Sequence, residues 1–177
     1  SGPGGDAFEH VELTGSGTVI AVGSVSPEAA LAHQGAADPV TLPSAGTTDA
    51  LVASFSTSGE LLWHATLGGS EPALGHGIAI APERVIVCGS FSGTANFGDE
   101  TRTSAGGEDA FVATLDASGQ TLSVHTFGGP GNDEFRDVAW DPRVEGIVAG
   151  GAFEETLQVG TRTLVSQGGS DLWVVGF

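Results

Sequence analysis

Three residues that could do chemistry together recur at one position of a repeated sequence: an acid, an imidazole and a guanidinium. Glu9, His76 and Arg136 each fall in the first strand of one copy of the repeat. If these strands line a common channel, the three side chains could bind a polar or anionic ligand through charge-assisted hydrogen bonds. Polar residues also line water-filled channels without binding anything. No nucleophile is spaced to meet a base and an orienting group, so we predict no catalytic residue.

A loop rich in oxygen atoms, residues 128–134, precedes Arg136 and is the candidate for a cation site. Asn132 and Asp133 lie in this loop and Asp137 follows it, and calcium binds about six to eight oxygens of this kind. The loop lacks the spaced aspartates and the distal glutamate of an EF-hand, and this favours an ordinary solvated turn. We therefore predict a solvated turn, with calcium as the alternative, and no other metal or cofactor, because no His/Cys spacing supplies zinc ligands.

The charge balance restricts the partners. Acidic residues number 22 against 5 basic ones, the formal net charge is −17, and the chain has no lysine. Such a surface repels nucleic acid and anionic lipid. No apolar run approaches the roughly 18 residues that cross a bilayer, so we predict no membrane insertion. The single cysteine, Cys88, lies in a strand-like run, and we expect it to be a small buried apolar residue.

The elements that must position these residues come from a repeat of about 60 residues. Asp49, Asp109 and Asp171 are 60 and 62 residues apart, and each begins a strand-like run of apolar residues. An aspartate that recurs in every copy indicates a structural role, so we expect each carboxylate to accept hydrogen bonds from backbone N–H groups of the adjacent loop. The 29 glycines and the short apolar runs predict an all-β protein with many turns.

The middle repeat divides into four strands, separated by turn residues and predicted at residues 76–80, 84–91, 109–115 and 122–127, with a linker over 92–108. Both faces of the third strand are apolar, which indicates a sheet covered on two sides. We therefore predict β-propeller blades of four antiparallel strands, about three blades in this chain, with the last one incomplete. A two-sheet sandwich built from tandem hairpins is the alternative.

The run from Gly77 to Gly129 resembles a known repeat. GIAIAPERVIVCGSF, followed by DAFVATL and a strand that ends in Gly-Gly, is similar to the bacterial β-propeller repeat often called SBBP. The resemblance extends over the chain from about Asp6 onward and carries no catalytic signature. It implies a secreted or cell-envelope protein, so we expect an extracellular or envelope location.

The predicted organisation follows from the repeat boundaries. Residues 1–7 are expected to be a tag or processing remnant, and residues 8–177 a partial propeller, with blades at about 8–69, 70–129 and 130–177. The first repeat carries an insertion, residues 26–35, whose Ser-Pro start and Gly end predict one short helix. Insertions in repeats form binding loops, so candidate contact residues are Glu28, His33 and Gln34.

The third repeat stops after its third strand, at Phe177, which leaves an apolar edge over residues 171–177. Three blades do not close a ring, so we expect self-association or further repeats. The prediction for function is a non-catalytic binding or scaffold module of a secreted or cell-surface bacterial protein, with a protein or glycan as ligand. The alternative is a fragment of a propeller enzyme with a polar channel site; fold alone does not choose between them.

Overall fold

A computed structural model describes residues 6–177 of the chain. Residues 1–5 of the predicted N-terminal remnant lie outside the described residues, whereas Asp6 and Ala7 belong to the fold. The carboxylate Oδ1 of Asp6 accepts hydrogen bonds from the backbone N–H of Ser26 (2.6 Å) and from its hydroxyl (2.7 Å). These bonds connect the start of the first strand to the end of the second.

The described residues form thirteen strands and no helix, which confirms the predicted all-β class. None of them therefore supplies a helix long and apolar enough to cross a membrane. The strands are β1 (Ala7–Leu13), β2 (Val19–Val25), β3 (Ala30–Leu31), β4 (Val40–Thr41), β5 (Asp49–Phe55), β6 (Leu61–Gly69), β7 (Ala73–Ala81), β8 (Arg84–Phe97), β9 (Glu100–Asp116), β10 (Thr121–Phe127), β11 (Asp133–Asp141), β12 (Gly146–Val159) and β13 (Arg162–Gly176).

Antiparallel pairing divides these strands into three units with the same strand sequence. Unit 1 consists of β1, β2, β5 and β6, and unit 2 of β7, β8, β9 and β10, each paired in that order. Unit 3 has β11, β12 and β13 only. Two residue pairs between β6 and β8 join units 1 and 2 into one curled eight-stranded sheet, and unit 3 is a separate three-stranded sheet. The arrangement of these units as propeller blades stays a prediction.

Each unit packs one face against the next unit in the chain. In the third strand of each unit, residues are counted from the periodic aspartate (Asp49, Asp109 or Asp171) as the first: the second and fourth residues lie on the forward face, and the third and fifth lie on the rear face. The forward residues Ala50 and Val52 of unit 1 share a buried cluster with the rear residues Phe111 and Ala113 of unit 2. The forward residues Ala110 and Val112 of unit 2 share a second cluster with Trp173 of unit 3. This repeated packing explains why both faces of the third strand are apolar.

The short helix expected within residues 26–35 does not form, so that prediction is wrong. The backbone N–H of Ala29 donates to the carbonyl of Ser26 (3.2 Å), and Glu28 has a φ of 65°. This is a tight turn with Pro27 as its first central residue and a left-handed residue as its second. Ser-Pro begins turns as well as helices, and the chain then enters β3, which pairs with β4.

The linker expected over residues 92–108 is also wrong, because β8 and β9 continue through it as one hairpin. Thr94 pairs with Thr103 and Phe97 with Glu100, so the turn is only Gly98 and Asp99. The far end of this hairpin reaches back to unit 1, where Ala95 and Asn96 pair with the last two residues of β6. The hairpin is thus part of the contact between the units.

Candidate functional site

The three residues of the predicted channel site occupy equivalent bulges. Glu9, His76 and Arg136 are the residues skipped by the pairing of β1 with β2, β7 with β8, and β11 with β12. A β-bulge inserts one unpaired residue and changes the direction of its side chain, and bulges are frequent beside functional sites. The repeat alignment therefore identified structurally equivalent positions.

Glu134 on β11, which sequence reasoning did not single out, connects two of these residues. Its Oε1 accepts a hydrogen bond from Nε of Arg136 at 2.7 Å. Its Oε2 lies 3.8 Å from Nε2 of His76, too far for a hydrogen bond. Nε2 of His76 is buried and has no hydrogen-bond partner among residues 6–177. A carboxylate two residues before the bulge was the sequence signal, but it has no equivalent in the other repeats.

The electrostatics of the site keep His76 neutral at pH 7. Burial lowers the pKa of His76 below its ordinary value, and the positive charge of Arg136 lowers it further. The negative charges of Glu134, Glu9 and Glu108 oppose this shift without reversing it. The charges of Glu9 and Arg136 thus both act on His76, and a ligand site formed by these three side chains stays a prediction.

An acidic cavity of about 170 Å³ opens beside this cluster. Glu108, Glu134 and Glu154 line it, together with Asn132 and Ser170. Because the carboxylates outnumber the single guanidinium of Arg136, the region favours a ligand group that is positively charged or that donates hydrogen bonds. A purely anionic ligand fits these charges less well.

The candidate calcium ligands Asn132, Asp133 and Asp137 do not converge. Asp133 is fully buried and accepts hydrogen bonds from the backbone N–H groups of Gly129 (2.8 Å) and Glu154 (3.3 Å). Asn132 accepts from the backbone of Glu108, and Asp137 is exposed. Within residues 6–177 no group of three or more His, Cys, Asp or Glu side chains is arranged to hold a metal ion. The role that the structure gives Asp133 is that of a backbone acceptor.

Two of the three candidate contact residues of the insertion bind the chain's own sheet. His33 Nδ1 accepts from the backbone N–H of Leu61 (3.2 Å), and the backbone N–H of Gln34 donates to the carbonyl of Gly59 (3.1 Å). Glu28 is exposed in its tight turn. The insertion is therefore bound to unit 1 and does not project from it.

The forward face of unit 3 leaves large apolar side chains exposed. Leu172 is 89% exposed and Val174 is 73% exposed, although their equivalents Ala110 and Val112 in unit 2 are buried. Strand β13 pairs with β12 alone, so its other edge presents unpaired backbone groups. The predicted exposed edge over residues 171–177 is confirmed.

A comparison of the chain with models of known protein families found no match. A comparison with curated proteins found none either. The functional interpretation therefore rests on the geometry of the chain itself.

Proposed function

We propose that this chain is a non-catalytic, protein-binding scaffold module with three propeller-like blades, and that the third blade binds a further β-strand, supplied by a partner protein or by another part of the same protein. The observation that carries the proposal is the open edge of β13 next to the apolar residues Leu172 and Val174. Addition of a strand to such an edge gives affinity through backbone hydrogen bonds and specificity through alternate side chains.

The other two units support this proposal because they contain the strand that unit 3 lacks. In unit 1, β6 pairs with β5, and in unit 2, β10 pairs with β9 over the same part of the third strand. Each of these fourth strands places apolar residues on the forward face, such as Leu67 and Phe127. The added strand should show the same alternation of side chains, with an apolar residue that lies beside Leu172 on the forward face.

A protein partner fits this surface better than a glycan. Glycan sites commonly use exposed aromatic platforms, and two of the three tryptophans are engaged elsewhere. Trp63 donates from Nε1 to the carbonyl of Ala117 in unit 2 (2.9 Å), and Trp173 is buried against Phe135. We also propose a secreted or cell-envelope location, supported by the resemblance to SBBP repeats and by the high negative charge.

The test is to supply the missing strand. A variant in which a copy of residues 116–129, the turn and strand after β9, follows Phe177 should have a melting temperature higher by on the order of 5 °C, because the tethered strand pairs with β13 at high effective concentration. The matched control carries the same extension with a proline at the position of His125, which in unit 2 pairs with Val112 on the third strand, so that a backbone donor to β13 is removed. Equal melting temperatures for the two extensions would contradict the proposal.

A second candidate function is favoured by the bulge cluster: a small-molecule site, binding or catalytic, at Glu9, His76 and Arg136. The buried, unpartnered Nε2 of His76 and the acidic cavity beside it support a ligand that carries both a carboxylate and an amine. Thermal shifts with a panel of amino acids, which carry both groups, test this idea. A stabilising ligand should lose its effect in Arg136→Gln and keep it in the control Leu172→Asp.

A further inference from the structure

The insertion in unit 1 covers the face against which a preceding unit would pack. Val25 and Leu51 belong to the rear face of unit 1, and both are buried in a cluster with Ala29 and Leu42 of the insertion. In units 2 and 3 the corresponding residues of the third strand, Phe111 and Trp173, are buried in the clusters shared with the preceding unit. Unit 1 therefore uses its own chain where the other units use a neighbour.

The same segment of the repeat has a different path in the other two units. In unit 2 the hairpin between the second and third strands, residues 92–108, reaches back and pairs with the end of β6. In unit 3 the equivalent hairpin, residues 154–170, buries Leu157 in the cluster shared with unit 2. In unit 1 the segment lies across its own sheet, held by the contacts of His33 with Leu61 and of Gln34 with Gly59.

The insertion covers only part of the rear face of unit 1, and the uncovered part shows what kind of surface this face is. On β1, Val11 is 58% exposed and Leu13 is 63% exposed, whereas their equivalents in unit 2, Ile78 and Ile80, pack in the cluster shared with unit 1. The rear face of unit 1 is thus a surface of the same kind as the rear faces of units 2 and 3. Residues 26–48 occupy its part over β2 and β5.

We infer that residues 26–48 cover the rear face of unit 1 and so prevent a second copy of this chain from stacking on it. The forward face of unit 3 is complementary in kind to a rear face, so two copies would otherwise associate head to tail. This inference goes beyond the proposed function, because strand addition uses the edge of β13, whereas stacking uses the forward face of unit 3.

The test removes the cover and asks whether copies associate. In one variant a short glycine–serine linker replaces residues 28–42; in a second, Leu42→Asp places a charge in the buried contact with Leu51. Thr41→Asp is the matched control, because Thr41 is exposed and directly precedes the buried Leu42. Light scattering should show a monomer for the unaltered chain and for Thr41→Asp, and a mass that rises about twofold or more with concentration for the uncovered variants.

A second substitution tests whether the association uses the forward face of unit 3. Leu172→Asp alters the forward face of unit 3 at an exposed residue, so on its own it should leave the fold unchanged. Combined with either uncovered variant, it should restore the monomer. A folded uncovered variant that stays monomeric overturns the inference, and so does association that Leu172→Asp leaves in place. Circular dichroism establishes folding, and Leu42→Asp decides the question where the longer replacement does not fold.

The two proposals fail separately. If the tethered strand stabilises β13 and the uncovered variants stay monomeric, the binding function stands and the cover has no such role. If the uncovered variants associate through Leu172 and the tethered strand has no effect, the cover stands and strand addition to β13 is wrong.

Discussion

The backbone N–H of Ala105 donates to the carboxylate of Asp109 and lies 3.1 Å from each of its two oxygens. The same bond, from the residue four positions earlier, recurs at Asp49 and Asp171 with N···O distances of 2.5 and 2.7 Å. The expected role of the periodic aspartates is therefore confirmed. Each carboxylate binds the backbone four residues before it and so holds that segment next to the start of the apolar run.

Replacement of Asp109 by alanine should lower the free energy of unfolding by about 1 to 2 kcal/mol, because the N–H of Ala105 loses its acceptor. Urea unfolding followed by circular dichroism measures the change. Asp116→Ala is the control, since Asp116 accepts bonds only within its exposed turn and should cost less. Asp109→Ala with an unchanged unfolding midpoint would contradict the structural role.

The glycine pairs that end the fourth strands make room for these aspartates and for the next unit. A Cβ on Gly128 would overlap the carboxylate of Asp109, and one on Gly129 would overlap the carbonyl of Thr156 in unit 3. Gly68 stands in the same relation to Asp49. The Gly-Gly motif is thus a packing requirement at both unit boundaries.

Gly128→Ala should destabilise the chain by about 1 to 3 kcal/mol through this overlap. In an Asp109→Ala background the carboxylate is gone, so the same substitution should cost clearly less, and a double-mutant cycle measures the coupling. Gly150→Ala is the control, because a Cβ there would meet its nearest neighbours at 3.5 Å and 3.8 Å. Additive effects of the two substitutions would show that the overlap is relieved in some other way.

The strands were predictable where one face or both faces are apolar, and not where the chain is mostly polar. Residues 84–91 and 109–115 have dense apolar runs, and both lie within strands. The hairpin beyond them has only Ala95, Phe97 and Ala105 as apolar residues besides its glycines, which is too weak a pattern to separate a strand from a linker. Its pairing comes from contact with unit 1, which no local pattern contains.

Only those site residues that occupy equivalent positions in the three copies of the repeat could be predicted from the sequence. Alignment of the copies placed Glu9, His76 and Arg136 together, because equivalent strands adopt equivalent bulges. It missed Glu134, which occurs in one copy and gains its role from its hydrogen bond with Arg136. It also misread the insertion, because a rear face without a neighbour is a property of the assembled units rather than of residues 26–35.

Asp133 should make the stability depend on pH. Burial raises the pKa of this carboxyl to about 6, above the ordinary value of 3.8, so the folded chain binds the proton more tightly than the unfolded chain. The resulting stabilisation is absent well above pH 6 and grows as the pH falls from 7 toward 4. The melting temperature should therefore rise more between pH 7 and pH 5 in the unaltered chain than in Asp133→Asn.

The comparison of the unaltered chain with Asp133→Asn separates the effect of Asp133 from other effects of pH on stability. The low pKa of His76 acts in both proteins alike, and the net charge of −17 in the unaltered chain is only one unit less negative in Asp133→Asn. Measurements at high ionic strength reduce the general charge repulsion further. The same pH dependence in Asp133→Asn would show that this carboxyl does not carry the effect.

Cys88 should report the contact between units 2 and 3. It is fully buried on the forward face of unit 2, and burial raises the pKa of its thiol to about 12, so a thiolate does not form near neutral pH. A thiol reagent should therefore react only when unit 3 separates from unit 2.

Trp173→Ala, which removes a large side chain from that contact, should increase the labelling rate by about 100-fold or more. Leu172→Ala, on the exposed opposite face of the same strand, should leave the rate unchanged. Rapid labelling of the folded unaltered chain, or equal rates for the two variants, would mean that the contact does not protect Cys88.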